Sequence, residues 1–422
     1  MSKFNEVLAR NTNDVAKGLL GFSQTVAFSH YNNLSAQLPV NASGKLISSD
    51  LKEQAIQCFK NIESIVKSIN HNLDDIVRLT IFTKSTKDFD IAIDVLNTFF
   101  KDYKPALTLL AVKDIPLNAS IQVEAVVTCG EGTIPNAPQA GDLIKLVRNT
   151  NNAPINDYSS QTVAFSHYNH LSSQLPINPN TNKIVEGGIK EQLKQCLRNI
   201  KNILESIDVP FDDIVKVNIY TTEIKELEAI KEAYKTFFPD SAIARAVNYL
   251  PALAINSVEG LPMNAKIQVE VVVSHGDGTP PQLVEDRHGI VIEANNTKSV
   301  YVNPMSYQTV AFSHYNNISE QFPIDANGKL ISGDINDQLA QCIENLKVIV
   351  ESVEHKLSDV VKLNIFVEDI NSINGFQEVL NKYFSTLPAD RVIATNTLNC
   401  NGALVKIDAI VSNAEGTPPT NK

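Results

Sequence analysis

The strongest constraint on the fold is a 14-residue phrase that occurs three times in one chain. QTVAFSHYNNLSAQ begins at Gln24 and returns almost unchanged at Gln161 and Gln308, so the spacings are 137 and 147 residues. Solenoid repeats span roughly 20–50 residues, whereas a unit of this size can form a core of its own. The chain of 422 residues therefore predicts three copies of one domain.

Further matching segments give the extent of each copy. Each unit carries a strand-like segment (DDIVRLTIFT, DDIVKVNIYT, SDVVKLNIFV) and ends on an apolar one (IQVEAVV, IQVEVVV, VKIDAIV). Joints rich in glycine and proline follow, GEGTIPNAPQAG and GDGTPPQ, as is typical of linkers. We predict domains at residues 1–136, 137–283 and 284–422.

Composition excludes several classes of protein. A hydrophobic content of 43% with 20% charged residues is ordinary for a globular protein. No apolar run is long enough to cross a bilayer, and the polar N-terminus lacks a signal-peptide core. The formal charge of −11 opposes binding to nucleic acid, which needs clustered Lys and Arg. We expect a cytoplasmic protein without nucleic-acid or membrane partners.

Three of the five cysteines are one residue seen three times, after a Gln in the same amphipathic helix: Cys58, Cys196 and Cys342. A redox or metal-binding thiol is one interpretation. A small core hydrophobe is the favoured one, because the position falls on the apolar face of the helix. The odd count does not indicate a disulfide framework.

The local pattern of each unit predicts the element order ββαβαββ. Alternating strands precede a helix that Asp50 can cap, with Glu53 as its return partner. Such an order is typical of an α+β domain with both helices on one face of the sheet. The other face also needs cover, and we expect the three copies to cover one another.

The motifs of the unit resemble those of the RidA/YjgF/UK114 family of imine and enamine deaminases. They are SxQxP (Ser35, Gln37, Pro39), SGKLI from Ser43, EQxxQxxxNI from Glu53, DDIVxxxIF and the final PxxAxIxVEA. The resemblance covers essentially the whole chain, three times. It implies chorismate-mutase-like domains that form an intramolecular pseudo-trimer around a central barrel, with sites in the clefts between domains.

The resemblance also implies a reaction. Family members hydrolyse reactive 2-imino and enamine acids, such as 2-aminoacrylate, to 2-ketoacids and ammonia without a cofactor or metal. The expected ligand is therefore a small imino or enamine acid, and the expected solution state is a monomer that acts as a pseudo-trimer. A non-catalytic scaffold that binds small ligands or partners is the alternative.

The family's key side chain is an arginine in a PARS-like motif, which grips the substrate carboxylate with two parallel hydrogen bonds. It stands seven residues after an FF pair and seventeen before an acidic residue of the last strand. In repeat 3 both counts reach Arg391, with Asp408 as the acidic residue, while repeat 1 has Leu107 at this place. A surface arginine paired with Asp390 is the alternative for Arg391.

Repeat 2 leaves two possibilities. The forward count reaches Arg245 and the backward count from Glu270 reaches Leu253, so an insertion separates the two frames. We predict Arg391 first and Arg245 second as catalytic residues.

The resemblance suggests four substrate-binding candidates: Tyr158, Tyr307, Ser319 and Asp408. Two family features are altered in every copy. The glycine of the SGQ loop is replaced by Ala36, Ser173 and Glu320, and the glutamate that handles the attacking water is replaced by Gln122, Gln268 and Lys406. We therefore predict only one or two working clefts.

The FSHYN segment repeats a histidine in all three copies, at His30, His167 and His314. Three histidines around a pseudo-threefold axis can bind a metal ion. The segment is typical of a hairpin turn, where an exposed histidine needs no such role, and this interpretation is favoured. No metal site is predicted.

Overall fold

A computed structural model describes residues 7–128, 145–238, 249–274 and 292–413, which form three similar domains. The first domain has two helices, α1 (Leu51–Ser68) and α2 (Phe89–Phe99). Its sheet contains β1 (Leu8–Arg10), β2 (Thr25–Phe28), β3 (Tyr31–Leu34), β4 (Ile76–Thr83), β5 (Ala106–Ala111) and β6 (Ile121–Thr128).

The second domain repeats this plan and adds a two-stranded ribbon. Its strands are β7 (Leu146–Arg148), β8 (Thr162–Phe165), β9 (Tyr168–Leu171), β10 (Ile177–Asn178), β11 (Lys183–Ile184), β12 (Ile214–Thr221), β13 (Ala252–Ser257) and β14 (Ile267–Ser274). Its helices are α3 (Ile189–Glu205) and α4 (Leu227–Lys235).

The third domain returns to the plan of the first. Its strands are β15 (Glu293–Asn295), β16 (Thr309–Phe312), β17 (Tyr315–Gln321), β18 (Val360–Val367), β19 (Ala389–Ala394) and β20 (Val405–Ser412). Its helices are α5 (Ile335–Glu351) and α6 (Phe376–Tyr383). The predicted boundaries at 136/137 and 283/284 lie outside the described residues and stay predictions.

Each six-stranded sheet is mixed, with the order β1-β2-β3-β6-β4-β5 in the first domain and its equivalents in the others. β4 and β5 are parallel because α2 carries the chain back across the sheet, whereas the remaining neighbours are antiparallel. The predicted α+β class is confirmed. The short first strand was not predicted, since three residues before the repeated phrase carry too little pattern to reveal it.

The first helix of each domain lies over one face of its sheet. Asp50 caps α1 by accepting a hydrogen bond from the Glu53 backbone N–H at 2.9 Å, as predicted, whereas the Asp50 N–H donates to Ser48 Oγ and not to the expected return partner Glu53. Cys58 faces the core and is fully buried, as are Cys196 and Cys342. Burial raises the pKa of all three thiols, so they are inert core side chains, which confirms the favoured interpretation.

The other faces of the three sheets pack against one another around a central axis. One apolar cluster contains the equivalent Phe28, Phe165 and Phe312 together with Tyr31, Tyr168 and Tyr315. A second cluster at a different level contains Phe82, Tyr220 and Phe366. The three copies therefore cover one another, as expected. In the described part of the chain, no helix has the length and apolar character needed to cross a membrane.

Candidate functional site

Each domain docks the end of its first hairpin on the outer strand of the preceding domain. In all three places a serine Oγ accepts a hydrogen bond from a backbone N–H of that strand. The distances are 2.8 Å for Ser172 to Leu107, 2.9 Å for Ser319 to Leu253 and 2.8 Å for Ser35 to Asp390. The domains therefore close in a ring, in which domain 2 docks on domain 1, domain 3 on domain 2 and domain 1 on domain 3.

This arrangement corrects the alignment behind the arginine prediction. The residue paired with Leu79 on the neighbouring strand is Leu107, and the residue at the same place in domain 3 is Asp390, paired with Leu363. Arg391 is one residue further on, opposite Asn364. The corresponding residues in the other two domains are Thr108 and Ala254.

Both counts were wrong, because the connections on the two sides of β19 differ in length from those of domain 1. Leu107 stands seven residues after Phe100, which follows α2, whereas Asp390 stands only six after Phe384, which follows α6. Glu124 pairs with Thr80, and Asp408 pairs with Asn364, so the two acids are equivalent. From Leu107 to Glu124 is seventeen residues, whereas from Asp390 to Asp408 is eighteen. The connection between β19 and β20 is therefore one residue longer than its counterpart in domain 1, and a one-residue slip turns a side chain to the other face of the sheet.

Arg391 consequently points into the barrel. Its side chain is buried, and its Nη1 lies 3.5 Å from Glu124 Oε2 of domain 1. The guanidinium lies between the rings of Phe82 and Phe366, 5.4 and 5.1 Å from their centroids. A guanidinium held by a carboxylate and two aromatic faces is an interior structural group. It is also not the surface arginine of the alternative interpretation.

Arg391 joins a ring of buried ion pairs that each connect two domains. Arg78 lies 3.4 Å from Glu270, Lys216 lies 3.3 Å from Asp408, and Lys362 lies 3.6 Å from Glu124. Because Arg391 has no charged equivalent in the other domains, this ring contains four cations and three carboxylates. Sequence analysis missed it, although a basic residue at the same inward position of DDIVRLTIFT, DDIVKVNIYT and SDVVKLNIFV was a visible signal.

The cations control the ionisation of these acids. Burial alone raises the pKa of Glu124, but Lys362, Arg391 and Arg78 more than offset it and hold the pKa below its ordinary value. Burial likewise opposes ionisation of Asp408, and Lys216, Arg391 and the Asn364 amide lower its pKa. Both acids are charged at neutral pH, so the candidate Asp408 is a member of the interior ring.

The remaining candidates fall in different places. Tyr158 packs on the core of domain 1, and Tyr307 packs on the core of domain 2, each against the preceding domain in the ring. Ser319 lies at a cleft, where its hydroxyl donates to the Tyr307 carbonyl at 2.6 Å and accepts from Leu253 N–H. Arg245 lies outside the described residues.

The cleft between domains 2 and 3 contains a buried ion pair that sequence analysis did not join. Lys406 Nζ lies 2.7 Å from Glu320 Oε2 and 2.6 Å from the Ile255 carbonyl oxygen. Glu320 Oε2 also accepts a hydrogen bond from Ile255 N–H at 3.1 Å. A cavity of about 470 Å³ opens beside this pair, with Tyr301, Met305, Phe322, Asn399 and Cys400 among its lining residues.

The other two clefts differ at the equivalent positions. Between domains 1 and 2, Gln268 donates a hydrogen bond to the hydroxyl of Ser173, so an uncharged pair replaces Lys406 and Glu320. Between domains 3 and 1, the loop residue is Ala36, and its backbone N–H donates to the Asp390 carbonyl at 2.9 Å. Burial raises the pKa of the Asp390 carboxyl to about 7. The three clefts therefore share a scaffold but not a set of chemical groups.

Comparison with known proteins agrees with this architecture. The sequence pattern of the family described as Endoribonuclease L-PSP matches residues 15–129, 150–275 and 302–413. The chain belongs to this family. Each matched range contains five of the six strands of one sheet, and the short first strand precedes it. The resemblance to the RidA/YjgF/UK114 proteins is confirmed.

Individual relatives each match about one third of this L-PSP family member. A RutC family protein of Aquifex aeolicus is 39% identical over 119 residues, which are 28% of this chain and 89% of the relative. The human 2-iminobutanoate/2-iminopropanoate deaminase is 31% identical over 143 residues, 33% of this chain and 98% of the relative. Among solved structures, a putative endoribonuclease of Thermotoga maritima is 27% identical, with a TM-score of 0.28, and covers 31% of this chain and 98% of its own.

Proposed function

We propose that the cleft between domains 2 and 3 binds a small 2-imino or enamine acid and hydrolyses it to a 2-ketoacid and ammonia. The Glu320–Lys406 pair beside the cavity carries this proposal, because it offers a cation for the substrate carboxylate and a base for water. The named activity of the human relative supports the same reaction class.

The contacts of the pair suggest how the groups would act. The substrate carboxylate takes the place of the Glu320 carboxylate on the Lys406 ammonium and on Ile255 N–H, two donors that already hold a carboxylate. The displaced Glu320 accepts a proton from water as the water oxygen bonds to the imine carbon, and the electron pair of the C=N π bond moves to nitrogen, which takes that proton from Glu320. Glu320 then accepts the hydroxyl proton of the carbinolamine as the C=O bond forms and passes it to the nitrogen. The C–N bond breaks, ammonia leaves with the electron pair of that bond, and the 2-ketoacid remains.

Two arginines have different places in this proposal. Arg245 is retained as a second contact for the substrate carboxylate, on the strength of the sequence alone. Arg391 is not assigned to the substrate, because Glu124 and two aromatic rings already surround it inside the barrel.

One observation favours a non-catalytic binding scaffold as a second candidate. In each outer strand, one residue donates its backbone N–H to the docking serine. This residue is Leu107, Leu253 or Asp390, and none of these side chains can bind a carboxylate through two hydrogen bonds. A scaffold of this kind would bind a small carboxylate at Lys406 and, without an arginine at the equivalent position, would not turn it over.

Turnover of 2-aminoacrylate separates the two candidates. The substrate is generated with a serine dehydratase, and pyruvate formation is followed with and without this protein. We expect the wild type to accelerate pyruvate formation and Glu320→Gln to lose about 10²–10⁴-fold of that rate, the range typical of a lost general base. Lys406→Met is expected to raise KM strongly, and Arg245→Ala to raise it as well.

Gln268→Met is the matched control, since Gln268 occupies the place of Lys406 in the cleft between domains 1 and 2. Its rate should equal that of the wild type. A wild type without any acceleration would overturn the deaminase proposal. In that case a rise in Tm with 2-ketobutyrate, abolished by Lys406→Met, would support the binding scaffold.

A further inference from the structure

Three histidines, one from each domain, meet on the central axis at the end of the barrel. The ring centroids of His30, His167 and His314 are 4.9, 5.5 and 5.6 Å apart. One potential ligand nitrogen of each ring lies within 4.8 Å of the others. The favoured sequence interpretation treated them as separate exposed turn residues, whereas the closed ring of domains brings them together.

The backbone holds these side chains in place. Each histidine follows a serine with positive φ, at 51° for Ser29, 53° for Ser166 and 48° for Ser313, in the two-residue turn of its hairpin. Two-residue hairpin turns favour a small set of geometries, the three copies share the same one, and the flanking strands are buried in the barrel. The three imidazoles therefore start from fixed and equivalent positions.

The surroundings orient the rings as well. Phe28 packs edge-on against His314 at 6.3 Å, and Phe312 packs edge-on against His167 at 6.5 Å. In the residues that follow the histidines, each tyrosine hydroxyl donates to a carbonyl of the next domain, from Tyr31 to Phe165, Tyr168 to Phe312 and Tyr315 to Phe28. Aromatic neighbours and fixed tyrosines thus enclose the cluster on the barrel side, while the histidines themselves stay half-exposed.

We propose that His30, His167 and His314 bind one divalent transition-metal ion per chain, of which zinc is the best match. Three imidazole nitrogens with a solvent-facing fourth position make a tetrahedral site of the kind that zinc prefers. Zn–N bonds of about 2.0–2.1 Å separate ligand nitrogens by roughly 3.4 Å in a tetrahedron, so rotations of the rings bring the nitrogens into place.

One ring nitrogen of the cluster is placed to accept an ion. Within the described residues, His314 Nδ1 is buried without a hydrogen-bond partner, and a metal would supply one. An imidazole binds a metal through the lone pair of such a nitrogen.

An ion at this place would be a clasp between domains. Each domain contributes one ligand, so the bound ion favours the closed ring over any arrangement in which one domain is displaced. Because the domains belong to one chain, the site needs no association of separate subunits. It lies apart from the Glu320–Lys406 cleft and does not depend on the proposed deaminase activity.

Metal titration of the full chain tests the clasp. Protein stripped with a chelator and dialysed is titrated with Zn²⁺ by calorimetry and with Co²⁺ by visible absorption. We expect one ion per chain, tetrahedral Co²⁺ bands, and a Tm that zinc raises by several degrees. His314→Asn and His167→Asn should each weaken zinc binding at least tenfold and abolish the rise in Tm.

His71→Asn is the matched control, because His71 pairs with Asp75 within domain 1 and lies away from the axis. It should bind zinc like the wild type. Two axial variants are used so that one that fails to fold leaves the other to decide the question. The proposal is overturned if the wild type binds no zinc, or if zinc binding survives unchanged in a folded axial variant.

Discussion

At the scale of single residues, Asp390 shows how far the three clefts have diverged. The equivalent residues of the other domains are leucines in apolar cores, and Asp390 is as deeply buried as they are. Burial raises the pKa of its carboxyl from 3.8 to about 7. The folded protein therefore holds this proton more tightly than the unfolded chain does, and stability falls as pH rises from about 4 to about 7.

We predict that Asp390→Asn removes this loss of stability at high pH. The amide imitates the protonated acid at every pH, so the variant should be more stable than the wild type at pH 8, by on the order of a few kcal/mol, and little changed near pH 4. Chemical denaturation at both pH values measures the difference. Asp94→Asn, at an exposed position of α2, is the control. A gain that is equal at both pH values would contradict the prediction.

Arg391 gives a second prediction at this scale. Arg391→Met removes the cation that has no equivalent in the other domains and leaves three cations with three carboxylates. Glu124 keeps Lys362 as a partner, so we expect a cost of about 3 kcal/mol, at the low end for a broken buried pair. Pyruvate formation per folded molecule should stay unchanged, and a double-mutant cycle with Glu124→Gln measures the coupling. Loss of turnover without loss of stability would contradict this role and would mean that Arg391 binds the substrate.

At the scale of elements, the sequence predicted the fold well. Alternation in the strands and the three- and four-residue spacing in the helices are local signals, and three parallel copies of each signal made them clear. The Asp50 cap and the buried Cys58 are examples that the structure confirms. The resemblance added the barrel, which no local pattern predicts.

The site was harder to predict because it depends on register. Counting along the sequence placed Arg391 opposite Leu363, which is the equivalent of Leu79. Strand pairing places Asp390 opposite Leu363 instead. Loop length carries no information on which side chain faces which side, whereas a ladder of backbone hydrogen bonds does. The Glu320–Lys406 pair was not predicted for a related reason. The two residues are 86 positions apart in the sequence, and only the fold shows that they are in contact.

The tyrosine layer gives a prediction about the hairpins. Each hydroxyl joins two domains through a hydrogen bond to a backbone carbonyl, so Tyr31→Phe, Tyr168→Phe and Tyr315→Phe should each cost about 1 kcal/mol. The pseudo-threefold arrangement makes the three costs similar. Tyr301→Phe, at a ring 41% exposed, should cost almost nothing. Urea unfolding curves check this, and three clearly unequal costs would contradict the equivalence of the interfaces.

At the scale of the whole molecule, the three copies agree in the repeated phrase but differ in the clefts. The phrase forms the hairpin that carries the histidines, the tyrosines and the docking serine, all of which face a neighbouring domain. A change there disturbs an interface, and the copies agree. In the clefts, Gln268 binds Ser173 whereas Lys406 binds Glu320, so there the copies differ in both partners. Three scaffolds of one design can therefore support a single working cleft.

This architecture predicts that the protein is a monomer whose folding does not depend on concentration. Among the described residues, the inner face of every sheet is already covered by the other two domains, so these sheets leave no apolar barrel face for a second chain. Light scattering after size exclusion should give a mass near 46.3 kDa. The Tm should stay constant over a hundredfold dilution, because unfolding of a single chain has no association step. A mass three times larger, with a Tm that falls on dilution, would mean that the barrel is built from separate chains, one domain from each.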